Sequence, residues 1–261
     1  MSVTRLPVLG LVTVVALLGG PAGGPRAVPV VRVVVHQLHG GAGGTTDAIA
    51  LDDTSCDELA GLRLCEPFDT GSSLPTVNAD APNTLTFDTA RPYRGAASLH
   101  SHTEANGTPA WRLGQALGTI ATGDLYARWY LYVSPSITQP FASTHLLEDS
   151  APFQGVVFGM TADGKPDLSY TATGSAVGSA SLPRGRWICV QIHVVVDPTS
   201  GVVESWIDGA PSARLDALST LPGSGYNNVH VGHFSGGPTH TEVADLWTDE
   251  LAVGILPIPC D

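Results

Sequence analysis

Two stretches of this sequence place side chains suited to sugar chemistry on one side of an extended chain. In Trp187–Val196 the alternate positions Ile188, Val190, Ile192, Val194 and Val196 are apolar, and between them stand Trp187, Cys189, Gln191, His193 and Val195. In Leu125–Val133, Leu125, Ala127, Trp129, Leu131 and Val133 alternate with Tyr126, Arg128, Tyr130 and Tyr132. Strand side chains point alternately to opposite faces, so each stretch offers an apolar face to a core and a second face outward. Tyrosines, an arginine, a glutamine and a histidine on one sheet surface supply flat aromatic platforms and planar hydrogen-bonding groups. Those are the components of a sugar-binding groove.

Other residues carry less. Glu204 and Asp208 flank Trp206. Glycoside hydrolysis needs two carboxylates facing each other across a groove at ~5–9 Å, and these two straddle a strand end. His100 and His102 share one face of a strand and could hold a metal. With no carboxylate or cysteine partner evident, they are read as solvent-facing. Trp111, Trp187 and Trp247 are read as core or edge packing rather than ligand platforms. Asn106-Gly-Thr108 is a glycosylation sequon of a kind that recurs by chance.

The elements that must position these residues are strands. Only 14% of the chain is Asp, Glu, Lys or Arg, while Gly (30) and Pro (20) are abundant, which favours short strands and turns over long helices. Strand-like runs include Leu85–Asp88, Ala97–Glu104, Asp124–Val133, Gly155–Ala162, Asp167–Thr173, Arg186–Asp197, Val202–Asp208, Val229–Phe234 and Val243–Gly254. Turn chemistry separates them at Ala162-Asp-Gly-Lys-Pro166, Asp197-Pro-Thr-Ser-Gly201 and Asp208-Gly209. That spacing predicts an all-β, antiparallel two-sheet jelly-roll sandwich, with one short helix over Asp216–Leu221.

At the amino end, Arg5 precedes an apolar run from Leu6 to Leu18 and a small-residue break, Gly19-Gly-Pro-Ala22. The run is too short to cross a bilayer and fits a signal peptide over residues 1–22. Residues 23–61 read as a lead segment with a Gly-rich linker, and 62–261 as the sandwich. The mature chain is expected to be secreted, free of the membrane and monomeric. A net charge of −12 opposes nucleic-acid binding, because a phosphate backbone would be repelled. Four cysteines in an exported chain imply disulfides, and their spacing does not suit zinc. The favoured arrangement is a terminal staple from Cys65 or Cys56 to Cys260, provided the first and last strands are antiparallel neighbours.

Six segments in order resemble the concanavalin A-like lectin/glucanase superfamily, in particular its polysaccharide-lyase-like and laminin-G-like secreted bacterial domains. They are Cys65-Glu-Pro-Phe-Asp69, Arg94-Gly-Ala-Ala-Ser-Leu99, Tyr126-Ala-Arg-Trp-Tyr-Leu-Tyr132, Gly185-Arg-Trp-Ile-Cys-Val-Gln-Ile-His193, Trp206-Ile-Asp-Gly209 and Leu246-Trp-Thr-Asp-Glu-Leu251. The resemblance implies two curved sheets with carbohydrate held on the concave one. It also raises uronate β-elimination, which needs the carboxylate neutralised, a base for the C5 proton and an acid for the leaving oxygen. By that resemblance Gln191 and Arg128 would grip the carboxylate, His193 would be the base and Tyr130 the acid. Tyr126, Tyr132 and His145 would line the substrate groove. No cofactor is required, and Asp69 with Asp249 would hold a structural calcium ion where the terminal strands meet. Two further lyase signatures, Arg-x-Glu-x-Arg and Lys-Ala-Gly-x-Tyr-Asn-Gln, are missing; Val229-His-Val-Gly-His-Phe234 is the nearest segment to the second. A non-catalytic carbohydrate-binding or adhesion module stays open beside the lyase. It needs only the aromatic and polar face, and acidic charge suits neutral glycans.

Overall fold

Alternation of apolar and polar residues over the two informative stretches produces two long neighbouring strands, and among the described residues thirteen others assemble around them. The computed structural model of the chain describes residues 56, 59–69, 76–77, 82–105, 110–148, 154–171, 173–234 and 241–260, without the side chains of 76–77 and 110–115. The signal segment, residues 23–55 of the lead with its Gly-rich linker, and the Asn106 sequon lie outside the described residues, as does the side chain of Trp111.

In chain order the strands are β1 Leu62–Glu66, β2 Thr76–Val77, β3 Thr84–Asp88, β4 Ser98–Thr103 and β5 Ala110–Ile120. The middle supplies β6 Gly123–Val133, β7 Phe141–Leu147, β8 Gly155–Met160, β9 Pro166–Tyr170 and β10 Gly174–Val177. The last third supplies β11 Trp187–Val196, β12 Gly201–Ile207, β13 Ala210–Leu218, β14 Tyr226–Phe234 and β15 Ala244–Gly254. The first sheet runs β13-β12-β11-β6-β15-β4-β3, with β1 also on β15; the second runs β10-β9-β8-β7-β14-β5-β2. Every pairing is antiparallel.

The core lies between the two sheets. Trp129 of β6 sits opposite Val190 of β11, and its indole meets Phe158 of β8 edge-on at 5.5 Å across the sandwich. Leu146, Leu168, Val229 and Val231 complete the second sheet's buried face. Each such side chain taken out of water contributes about 1.5–3 kcal/mol, so the predicted inward faces of β6 and β11 anchor the fold.

Three local features place the outer face of the first sheet. Asp208 and Gly209 both take positive φ (50° and 75°), as the tight β12–β13 hairpin requires of its two turn residues. In β15 a bulge at Glu250 (φ 51°) shifts the register between Asp249 and Ala252, so Asp249 is level with Tyr130 and Glu250 reaches Arg128. Beyond β15 the chain turns back over that face. Ile255 donates its N–H to Gly61, the Ile258 carbonyl accepts from the Gln191 amide at 2.7 Å, and Cys260 joins Cys189.

Two sequence expectations are corrected. The disulfides are Cys56–Cys65 and Cys189–Cys260, not Cys65 to Cys260. The terminal strands β1 and β15 are indeed antiparallel neighbours, but Cys65 is level with Ala252 and the tail carries Cys260 onward to β11. Segment 216–221 is not helical: Leu215 and Leu218 still pair with β12, and Thr220 donates its hydroxyl to the Val195 carbonyl.

Candidate functional site

β6 and β11 are direct neighbours, with Tyr126 opposite His193, Arg128 opposite Gln191 and Tyr130 opposite Cys189. The four residues assigned to elimination therefore share one sheet face. They do not share one groove. The C-terminal tail crosses between them and leaves two hollows. One, of about 370 Å³, is lined by Tyr126, Gln191, His193, Trp206 and Ile258. The other, of about 310 Å³, is lined by Tyr93, Tyr130, Trp187 and Cys260.

Arg128 is 1% exposed, 3.7 Å from the Glu250 carboxylate and packed on the Tyr130 ring. A guanidinium in that position neutralises a buried acid and is shielded from a polymer in solvent. Tyr130 is also buried, its ring stacked on Tyr93 at 3.6 Å. His193 places Nδ1 2.9 Å from Glu204 and Nε2 2.7 Å from Asp124, so both ring nitrogens already face carboxylates. A base must present a free lone pair to the proton it removes, and the His193 ring offers none outward. Gln191 spends its amide on the tail. Glu204 and Asp208 do not face each other as an acid pair. Glu204 binds His193 and Arg214, and Asp208 accepts from the Cys189 N–H at 2.9 Å and from Arg186.

The larger hollow nevertheless has the makings of a sugar site. Tyr126 lies flat against His193 at 4.4 Å, and Trp206, opposite Gln191 on β12, forms the far wall. Farther along, Tyr132 meets Trp187 and Trp247 edge-on, with the Arg91 guanidinium 4.2 Å above it. Trp187 and Trp247 thus pack on the outer surface rather than in the core.

His145 stands elsewhere, on β7 at the middle of the second sheet. It is opposite His230 of β14, the two rings 6.3 Å apart and edge-on, and Phe234 lies 5.9 Å away. Their sequence neighbours Leu146, Val229 and Val231 point into the core, so His145 and His230 belong to the face turned from it. Arg112 of β5 occupies the register position opposite Gly232.

Asp69 and Asp249 each hold the 93–96 loop. Asp249 accepts from the N–H groups of Tyr93 and Arg94, and Asp69 from that of Ala96. Burial pushes the Asp249 carboxyl up to about 7 despite those hydrogen bonds. His100 and His102 do have a carboxylate partner, which corrects the solvent-facing reading. Asp245 of β15 lies level with His102, its Oδ1 2.9 Å from His100 Nε2 and 2.7 Å from His102 Nδ1. Sequence reading also missed Trp206, Tyr93, Asp124 and the tail. Asp245 was recoverable, because it shares parity with Trp247 and Asp249 on the last strand.

No family model matches the chain, and no curated protein matches it in sequence. Solved structures do match in shape. An endo-β-1,4-glucuronan lyase from the fungus Trichoderma reesei superposes with a TM-score of 0.63 at 12% identity, covering 75% of this chain and 96% of the other. The cellulose-induced protein Cip1 gives 0.59 at 15% identity, covering 76% and 100%. Alginate lyase vAL-1 from Chlorella virus gives 0.55 at 9% identity, covering 74% and 99%. The chain has the fold of these two-sheet sandwiches. Identities this low show the fold of a concanavalin A-like sandwich and leave its activity to the site residues.

Proposed function

We propose that the protein interacts with carbohydrate, binding a neutral glycan without turnover in the hollow beside Tyr126, Gln191, His193 and Trp206. The observation that carries this reading is the pairing of aromatic walls with a polar floor whose histidine is held by carboxylates on both sides. Stacking surfaces and amides suit a sugar ring. Asp124 and Glu204 at the margin, on a chain of net charge −12, disfavour a polyuronate. Solved neighbours named as acting on glucuronan and alginate, and one named as cellulose-induced, support a carbohydrate ligand. Two disulfides fit an oxidising, extracellular setting for such a protein. Affinity electrophoresis against neutral and uronate polysaccharides tests the reading. Trp206→Ala should weaken binding to the preferred neutral glycan about tenfold, the loss of about 1–2 kcal/mol of stacking and burial; unchanged affinity in a folded variant rejects the groove.

A second reading has its own observation. His145 and His230 meet on central strands of the second sheet, in a fold shared with two lyases. Uronate β-elimination at that face would generate absorbance from the unsaturated product, lost in His145→Ala and retained in Trp206→Ala. Absence of absorbance on both glucuronan and alginate ends this reading and leaves the first intact.

A further inference from the structure

We propose that His100, His102 and Asp245 form a binding site for a divalent transition-metal ion of the zinc type, clamping β4 to β15 at the end of the first sheet remote from the glycan hollow. The two histidines are two residues apart on β4 and so share a face, and Asp245 comes from the neighbouring strand in register with His102. One ligand atom from each lies within 4.8 Å of the others, and among the described residues no other such group of His, Cys, Asp or Glu forms. Two imidazole nitrogens and a carboxylate oxygen are a donor set that zinc favours, at about 2.0–2.2 Å per ligand. The Asp245 oxygen already sits 2.9 and 2.7 Å from the two nitrogens, so an ion needs each of those N···O pairs to part by only a fraction of an ångström.

The surroundings are arranged as ligand support. His102 turns its other nitrogen, Nε2, to Glu104 at 3.2 Å. A proton held there leaves Nδ1 as the ligating lone pair, the carboxylate–histidine–metal arrangement in which the outer acid sets the tautomer. His100 lies flat on Trp247 at 4.3 Å, and the Trp247 indole N–H donates to Asp88 at 2.7 Å, which fixes the plane of the imidazole. Thr86 and Thr84 of β3 are level with His100 and His102. The side chains of His100, His102 and Asp245 are each about a quarter exposed, leaving room for water as a fourth ligand. Binding would replace the N–H···O contacts with N–metal and O–metal bonds and release the protons those nitrogens carried.

The competing account is a hydrogen-bonded His–Asp–His cluster with no affinity for metal. Calorimetric titration of the chelator-treated full chain with Zn²⁺, repeated with Co²⁺ while following visible absorption, separates the two. The metal site predicts one saturable class of ion with cobalt bands typical of a low-coordinate nitrogen–oxygen site. His100→Ala and His102→Ala should each lower affinity by more than about 100-fold, and Glu104→Gln by about tenfold, as loss of an outer-shell partner does. His193→Ala, in the glycan hollow, should leave the zinc isotherm unchanged. Equal Zn²⁺ affinity and stoichiometry in the parent chain and in Glu104→Gln and His102→Ala, with circular dichroism showing all three folded, overturns the proposal. Glu104 is half exposed, so Glu104→Gln decides the matter even if the histidine variants fail to fold.

Discussion

Two histidines on the outer face of the first sheet sit in nearly the same bracket. His193 stands between Glu204 and Asp124, and His102 between Asp245 and Glu104. What differs is the third partner. Glu204 is shared with Arg214, a fixed cation, whereas Asp245 is shared with a second imidazole. An arginine closes its carboxylate to any other cation, because it cannot lose its proton in a protein. An imidazole can release its proton to water and bind a metal through the lone pair that is freed. The flanks differ as well: His193 is packed beside Tyr126, Trp206 and the tail, and His102 opens to water. The same local unit thus becomes the rigid floor of a hollow in one place and a potential chelator in the other.

The largest expected effect on this contrast is in zinc binding. His102→Ala should weaken it by more than about 100-fold and His193→Ala should leave it unaltered; a zinc site lost in both variants would erase the distinction. Next comes the Cys189–Cys260 bond, which closes a loop across 71 positions and pins the tail beside His193, with no counterpart near His102. Cys189→Ala with Cys260→Ala should cost about 2–5 kcal/mol in denaturant unfolding and alter glycan affinity, while the zinc isotherm of the folded double variant stays the same. Smallest is an acid effect on the turn joining the His193 and Glu204 strands. Asp197 accepts from the Thr199 and Ser200 N–H groups, and those bonds hold its carboxyl down at about 2. A carboxyl depressed from 3.8 favours the folded state above its unfolded value, and the benefit disappears as pH falls from about 4 through about 2. Between those limits Asp197→Asn should show a shallower loss of stability than the parent chain. NMR titration giving an ordinary Asp197 value would contradict the assignment.

The sandwich was legible because period-two alternation over β6 and β11 declares which residues face the core, and Asp208-Gly209 declares a hairpin. The shared face of Tyr126, Arg128, Tyr130, Gln191 and His193 was legible for the same reason. Their accessibility was not. Whether Arg128 meets solvent or Glu250 depends on a one-residue bulge in a strand more than a hundred residues away, and the bulge has no local signature such as glycine. The tail was hidden for a related reason: Pro257–Cys260 has no pattern of its own, and its path is set by Ile258 packing with Cys56 and Ala252. Asp216–Leu221 (Asp-Ala-Leu-Ser-Thr-Leu) carries only a weak helical preference, and pairing of its start with β12 overrode it.

The position of β15 has a consequence for how the molecule is assembled. It is an interior strand of the first sheet, between β6 and β4, yet it follows every other described strand along the chain. Until Ala244–Gly254 has been made, β3 and β4 have no bridge to β6, and the edges of both remain unpaired. Early segments must therefore wait for a late one, the kind of long-range dependence that slows folding and leaves open strand edges in the interim. A nascent chain of this design keeps its first sheet unlocked until β15 has emerged, and then closes it on insertion of a single strand.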